Sequence, residues 1–221
     1  MKNILVIAPH PDDEVLGCGG TIAKFSKQGH KVQVCYVTKA YTPDWSEELI
    51  ANRRKETEQA NHVLGVKQAY FLDFPTVKLD TIPQKALNDS LFDVVKKTNP
   101  EIIFLPHGGD LNKDHRLVFE AGLVAARPGH GLNIQKILCY ETVSETEWGA
   151  DMSKFQANVY ENIDGFMEAK LRAMQVYKSE VRPFPHPRSA EVLSALAIKR
   201  GSEAGLKAAE GFMLIRETVK E

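Results

Sequence analysis

What most restricts the fold of this chain is an alternation. Short apolar runs, each long enough for one strand, are separated by stretches with helical periodicity. NILVIA (3–8) reads as a buried strand and GGTIAKFSKQG (19–29) as a helix closed by Gly29. KVQVCYVT (31–38) is a second strand. SEELIANRRKETEQANHVLG (46–65) is a long helix, with Ser46 as N-cap and Gly65 as its stop. AYFLDF (69–74) is strand-like, IPQKALNDSLFDVVKKTN (82–99) helical, and EIIFLPH (101–107) another apolar strand. HRLVFEAGLVAARPG (115–129) is a helix ended by Pro128-Gly129, and QKILCYE (135–141) a further strand. Strands alternating with helices predict βαβ units: a Rossmann-like, three-layer α/β fold, its mostly parallel sheet covered by helices on both faces. The last third is less regular. FMEAKLRAMQVYKSE (166–180) and RSAEVLSALAIKRG (188–201) read as helices, and GFMLIRE (211–217) as a closing strand or edge. The expectation is one domain over 1–221 with a C-terminal elaboration.

Bulk composition narrows the function. The chain has 221 residues, enough for one sizeable core, with 28 basic against 29 acidic side chains. That balance argues against nucleic acid or an anionic membrane surface as the main partner. The cysteines Cys18, Cys35 and Cys139 are scattered and odd in number, which predicts reduced thiols and a cytoplasmic protein. The first residues lack a signal-peptide layout, and no run approaches the ~20 apolar residues of a membrane helix, so membrane insertion is not expected. Apolar groups in the C-terminal third leave a homo-oligomer open.

The first strand runs directly into His10-Pro11-Asp12-Asp13-Glu14. Four ionisable groups in five residues repel one another unless something positive sits among them. A second polar cluster, His107 to His115, follows the EIIFLP strand in the equivalent position. Sites in open parallel sheets form beyond the carboxyl ends of the strands, where the strand order reverses, so the two clusters are expected to face each other there. A divalent cation resolves the crowding. Two imidazoles and a carboxylate, with a position left for water, form a catalytic zinc set: His10, Asp13 and His115. Asp12, beside a ligand, is placed to take a proton from that water. The same ligand types also suit iron(II) or another divalent cation.

PHPDDE after the first strand, Arg53-x-x-Glu56 on the second helix, the LGV that follows, and DLNKDHR resemble the LmbE-like, or PIG-L, zinc-dependent N-acetylglucosamine deacetylases. The likeness spans about the first 130 residues in order. YETVSETEW, PRS and AEGFMLIR further resemble a branch associated with surface-sugar biosynthesis. The resemblance implies ligands at His10, Asp13 and His115, a general base at Asp12, a substrate-contacting arginine at Arg53, and an N-acetylated amino sugar as substrate. The family often has a histidine three residues before the last ligand. Here Asn112 stands there, and asparagine donates a hydrogen bond but does not protonate an amine near neutral pH. Asp12 then acts twice, as base and as acid, or His186 takes that part.

Plainer readings compete at each position. The first-loop carboxylates can cap a helix opening near Gly17 to Gly20. Asp114 either orients a ligand imidazole or the Asn112 amide, or caps the next helix; Asp110 is similar. Arg53 faces the partly apolar side of its helix, which requires a carboxylate or a substrate anion as partner; the plain alternative is an ion pair with an Asp of the metal loop. His186 and Arg188, in the proline-stiffened RPFPHPRS loop, either cross the surface or hold a sugar. Trp45, Tyr41 and Trp148 are packing residues or sugar platforms. The glycines of LGCGGT fail the G-x-G-x-x-G spacing and instead permit close approach to the metal and helix. Two other functions share the ligand set: a non-haem iron oxygenase, usually on an all-β scaffold, and a nucleotide-sugar-binding module with a structural metal.

Overall fold

The computed structural model describes residues 1–129, 131–150 and 152–219. In chain order it contains β1 (Asn3–Ala8), α1 (Asp13–Lys27), β2 (Lys31–Lys39), α2 (Glu47–Leu64), β3 (Gln68–Pro75), α3 (Gln84–Thr98), β4 (Ile102–Pro106), α4 (Lys113–Ala125), β5 (Lys136–Tyr140), β6 (Val159–Asn162), α5 (Met167–Val176), α6 (Ala190–Glu203) and β7 (Ala209–Glu217). The strands form one sheet in the order β3-β2-β1-β4-β5-β7-β6. The first five are parallel, and β7 runs antiparallel to both its neighbours.

The apolar runs are continuous because both faces of the sheet are covered. Side chains alternate along β1: Ile4, Val6 and Ala8 join a core with residues of α1, α2, α5 and α6, while Leu5 and Ile7 join one with α3 and α4. The three-layer α/β expectation is therefore met. Ser46 caps α2 by accepting the Leu49 N–H at 3.2 Å, and Gly65 ends it at φ 75°, a conformation that costs glycine little. All three cysteines are buried, free thiols. No helix among the described residues is long and apolar enough to cross a membrane.

Three expectations need correction. Helix α1 begins at Asp13, six residues before the predicted start, so the glycine run lies inside it. Those glycines do allow close approach, to the sheet as well as to a helix: a Cβ on Gly17 would lie 2.2 Å from the Tyr140 ring, and one on Gly19 3.0 Å from the Lys170 side chain of α5. GFMLIRE is the closing strand, as one of its two readings had it, and is no edge. It lies between β5 and β6, and the edge on that side is β6, three half-buried residues and one exposed, too short for a visible period.

Strand β7 also carries a buried charge. Glu210 accepts the N–H groups of Gly20 (2.9 Å) and Thr21 (2.7 Å) in the middle of α1. Lys170 of α5 donates to Glu210 at 2.6 Å and to the Leu16 carbonyl at 2.8 Å. Both side chains are almost fully buried. This clamp fastens the helix that begins in the first acidic loop to the C-terminal third. Replacing one partner strands the other charge without water. Glu210→Ala is expected to cost ~3–5 kcal/mol, and a Lys170→Met/Glu210→Ala double variant less than the single one, both read by chemical denaturation.

Candidate active site

Strands β1 and β4 pair in parallel, with Ile4 opposite Ile102, so the loops leaving their carboxyl ends emerge side by side. This is where strand order reverses in the sheet, the crevice such folds use for ligands. His10 comes from the first loop, Asp13 from the first residue of α1, and His115 from the first turn of α4. One donor atom from each lies within 4.8 Å of the others. Asp13 Oδ2 is 3.2 Å from both His10 Nδ1 and His115 Nε2, and the two ring nitrogens are 3.3 Å apart.

The loop that delivers them is strained. Asp12 has φ 118°, a region a residue with a Cβ rarely occupies. Its carbonyl accepts the N–H groups of Val15 and Leu16, both at 2.9 Å, while its side chain makes no cap bond. The carboxylates of this loop therefore divide their tasks. Asp13 Oδ2 also accepts the His10 N–H at 2.9 Å. Glu14 is fully buried, accepts the Asp12 N–H at 3.0 Å and the Tyr177 hydroxyl at 2.6 Å, and fixes the strained peptide from behind.

A carboxylate stands behind each imidazole. Asp114 Oδ2 lies 3.0 Å from His10 Nε2, and Asp110 Oδ2 lies 2.8 Å from His115 Nδ1. Asp114 also accepts the Val77 N–H at 2.6 Å, and Asp110 the Thr146 hydroxyl at 2.7 Å. Such partners set the tautomer of a metal-binding histidine and leave the other nitrogen free to bind. Asp114 does not cap α4. Asn112 does, its amide oxygen accepting the Asp114 N–H at 3.0 Å.

The electrostatics fit a cation. Burial would lower the His10 imidazole, but hydrogen bonds to Asp114 and Asp13 outweigh it and raise it to about 9. Burial opposes the same rise at His115, where Asp13 and Asp110 lift the ring to about 10. Burial would raise the Asp13 carboxyl, yet His115 and His10 hold it far below the usual carboxylate range. The cluster demands positive charge, and protons supply it when nothing else does. Burial pushes the Asp12 carboxyl well up, and the Arg188 guanidinium pulls against that.

The cluster opens into a cleft of about 430 Å³, lined by His10, Asp12, Asn112, Arg53 and Arg188 among others. Arg188 Nη1 donates to Asp12 Oδ2 at 2.8 Å across 176 residues of sequence. Arg53 does not pair with an Asp of the metal loop. It donates to the Pro11 carbonyl (3.3 Å), to Ser179 Oγ (2.7 Å) and, in a short contact, to Glu180. The structure does not bring His186 to the cleft wall: it is exposed, and its ring accepts the Arg188 N–H at 3.1 Å. Trp45 lines the cleft, whereas Tyr41 donates its hydroxyl to the Asp73 carbonyl and Trp148 is exposed. His107 turns aside to the Ser153 carbonyl at 2.7 Å. Sequence reasoning missed Glu145 and Glu180 as cleft residues. Glu145 lay inside the YETVSETEW segment, but nothing in periodicity or spacing marked Glu180.

Comparison with known proteins agrees with this geometry. A family model described as PIG-L, GlcNAc-PI de-N-acetylase, matches residues 5–126, which include both loops. The protein named uncharacterized deacetylase YaiS from Escherichia coli (strain K12) is 33% identical over 80% of this chain and 91% of its own. The N,N'-diacetylchitobiose deacetylase from Pyrococcus horikoshii, solved with an inhibitor, is 28% identical, covers 97% of this chain and 84% of its own, and superposes with a TM-score of 0.78. The 4-carboxy-2-hydroxymuconate hydratase GalB from Pseudomonas putida KT2440 shares the fold at 21% identity and TM-score 0.79, over 100% of this chain and 99% of its own. Two loops that converge on His10, Asp13 and His115 thus lie within a matched stretch of more than half the sequence, and the chain belongs to the PIG-L family.

Proposed function

We propose that this chain is a metal-dependent N-deacetylase that removes the acetyl group from an N-acetylated amino sugar. The observation that carries the reading is the convergence of three ligand-type donors, His10, Asp13 and His115, of which His10 lines the cleft, with a second carboxylate, Asp12, on the cleft wall beside it. His10, Asp13 and His115 hold one divalent cation, Zn²⁺ by the ligand set, with Fe²⁺ accepted by the same groups. Once bound, such an ion polarises an amide carbonyl and lowers the pKa of a water to about 7.

The chain's own groups do the rest. Asp12, held by Arg188, takes the proton of the attacking water as its oxygen adds to the amide carbon. The oxygen of Asn112 is committed to its cap, so its NH₂ is the end that can donate to the tetrahedral oxyanion. The proton on Asp12 then passes to the nitrogen, the C–N bond breaks, and acetate and a free amine leave. His186, on the outer surface, acts on this chemistry only through the Arg188 backbone. Asp114 and Asp110 keep the ligand imidazoles oriented. Arg53, Arg188 and Glu180 set donors beside acceptors along the cleft, a pattern suited to sugar hydroxyls, which do both. Buried free thiols fit a reducing, cytoplasmic setting.

The deciding experiment is an acetate-release screen of the metal-loaded protein against free and glycoside-linked N-acetylhexosamines, with and without dioxygen. Oxygen-independent release of stoichiometric acetate is expected, and sugar binding without release overturns the reading. Asp12→Asn is expected to keep a full complement of metal while kcat falls about 10²–10⁴-fold. Asp110→Asn, which removes the carboxylate behind His115, is expected to weaken metal affinity about 10–100-fold in competition with a chelator, with the fold unchanged by circular dichroism.

A further inference from the structure

Apart from His10, which belongs to the donor cluster, the charged side chains of the cleft are matched. Lys39, Arg53, Arg54 and Arg188 line it, against Asp12, Asp73, Glu145 and Glu180. Three of the cations are already engaged. Arg54 pairs with Glu58 at 3.0 Å and stacks on the Phe71 ring at 3.2 Å from its centroid. Arg53 and Arg188 converge on one carboxylate: Glu180 Oε1 meets Arg53, and Oε2 meets Arg188 Nη1 at 2.5 Å. The Arg188 guanidinium also contacts Asp12 and lies 3.8 Å from Glu145. Lys39 is exposed, where water and salt screen it. Glu180 is held in place by its own backbone, which donates to the Tyr177 carbonyl at 2.9 Å in the turn after α5.

Two guanidiniums in one cleft are ordinarily the means of gripping a phosphate or a carboxylate. Here the grip is occupied from within. A charged substituent on the sugar would have to displace Glu180 and then lie beside it, one anion against another in a partly desolvated wall. A neutral glycoside meets no such cost, and its hydroxyls bond to the paired groups without breaking the pair. We infer that Glu180 is a specificity-determining residue that restricts the cleft to uncharged N-acetylhexosaminides and excludes those whose aglycone is a phosphate or carries a carboxylate. The inference rests on the amino-sugar reading above and names the substrate class within it.

The test pairs two substrates that differ at one substituent: methyl N-acetyl-β-glucosaminide and N-acetylglucosamine 1-phosphate. The metal-loaded wild type is expected to favour the methyl glycoside at least about tenfold in kcat/KM. Glu180→Gln, which removes the one carboxylate the two arginines share, is expected to narrow that preference about tenfold or more, and Glu180→Asp, which keeps the charge, to retain it. Calorimetry with methyl glucoside and glucose 1-phosphate, which carry neither amide nor amine, gives the same neutral-against-anionic comparison with no chemistry involved. A wild type that binds or turns over the phosphate as well as the methyl glycoside overturns the inference, as does an unchanged ratio in Glu180→Gln. If neither acetylated sugar releases acetate, the deacetylase reading falls, and the calorimetric ratio still decides the role of Glu180.

Discussion

Parallel pairing of β1 with β4 is the constraint from which the site follows. It places two loops, a hundred residues apart in sequence, at the same end of adjacent strands. Each loop opens a helix, so α1 and α4 start beside one another and present their first turns to a common point. Asp13 and His115 sit on those first turns, and His10 closes the triangle from the loop. The rest of the site is the consequence of keeping so much like charge in so small a volume. The clustered carboxylates would repel, and the arrangement holds because imidazoles, guanidiniums and backbone N–H groups are interleaved among them.

That interleaving is layered. Innermost, Asp13 bridges the two imidazoles, with Asp110 and Asp114 behind them. The next layer is Arg188 against Asp12, and the outermost is Glu180 between Arg188 and Arg53. Charge thus alternates outward from the donor cluster to the cleft. The alternation keeps Asp12 against the Arg188 guanidinium, and it leaves the cleft wall with opposed charges. The chemistry proposed for Asp12 and the selectivity proposed for Glu180 draw on one network.

Much of this was legible in the sequence, for identifiable reasons. Covered parallel strands advertise themselves as unbroken apolar runs, and β1, β2, β4 and β5 were readable on that ground. Ser46 and Gly65 marked α2 because capping chemistry is local. The donors His10, Asp13 and His115 could be named because each follows a strand end in a short, dense cluster. What escaped depends on contacts between distant segments. Helix α1 was placed too late because its opening turns are acidic and glycine-rich, whereas the fold needs its glycines small where Tyr140, Lys170 and Ile163 press on the helix. Strand β6 is short, and the place of β7 between β5 and β6 is set by packing alone. Glu180 and the partner of Arg53 lay beyond local pattern for the same reason: the residues meet across 127 positions.

The clamp of Lys170 and Glu210 on α1 bears on how the molecule matures. A nascent chain that has emerged only through α4 already holds all three donors, but Arg188, Lys170 and Glu210 are still to come. Contacts separated by 176 and 190 positions form only after long loops have closed, which is slow. The donor cluster, formed by residues before position 120, therefore gains its outer supports only when α5, the loop that carries Arg188, and β7 have packed against α1.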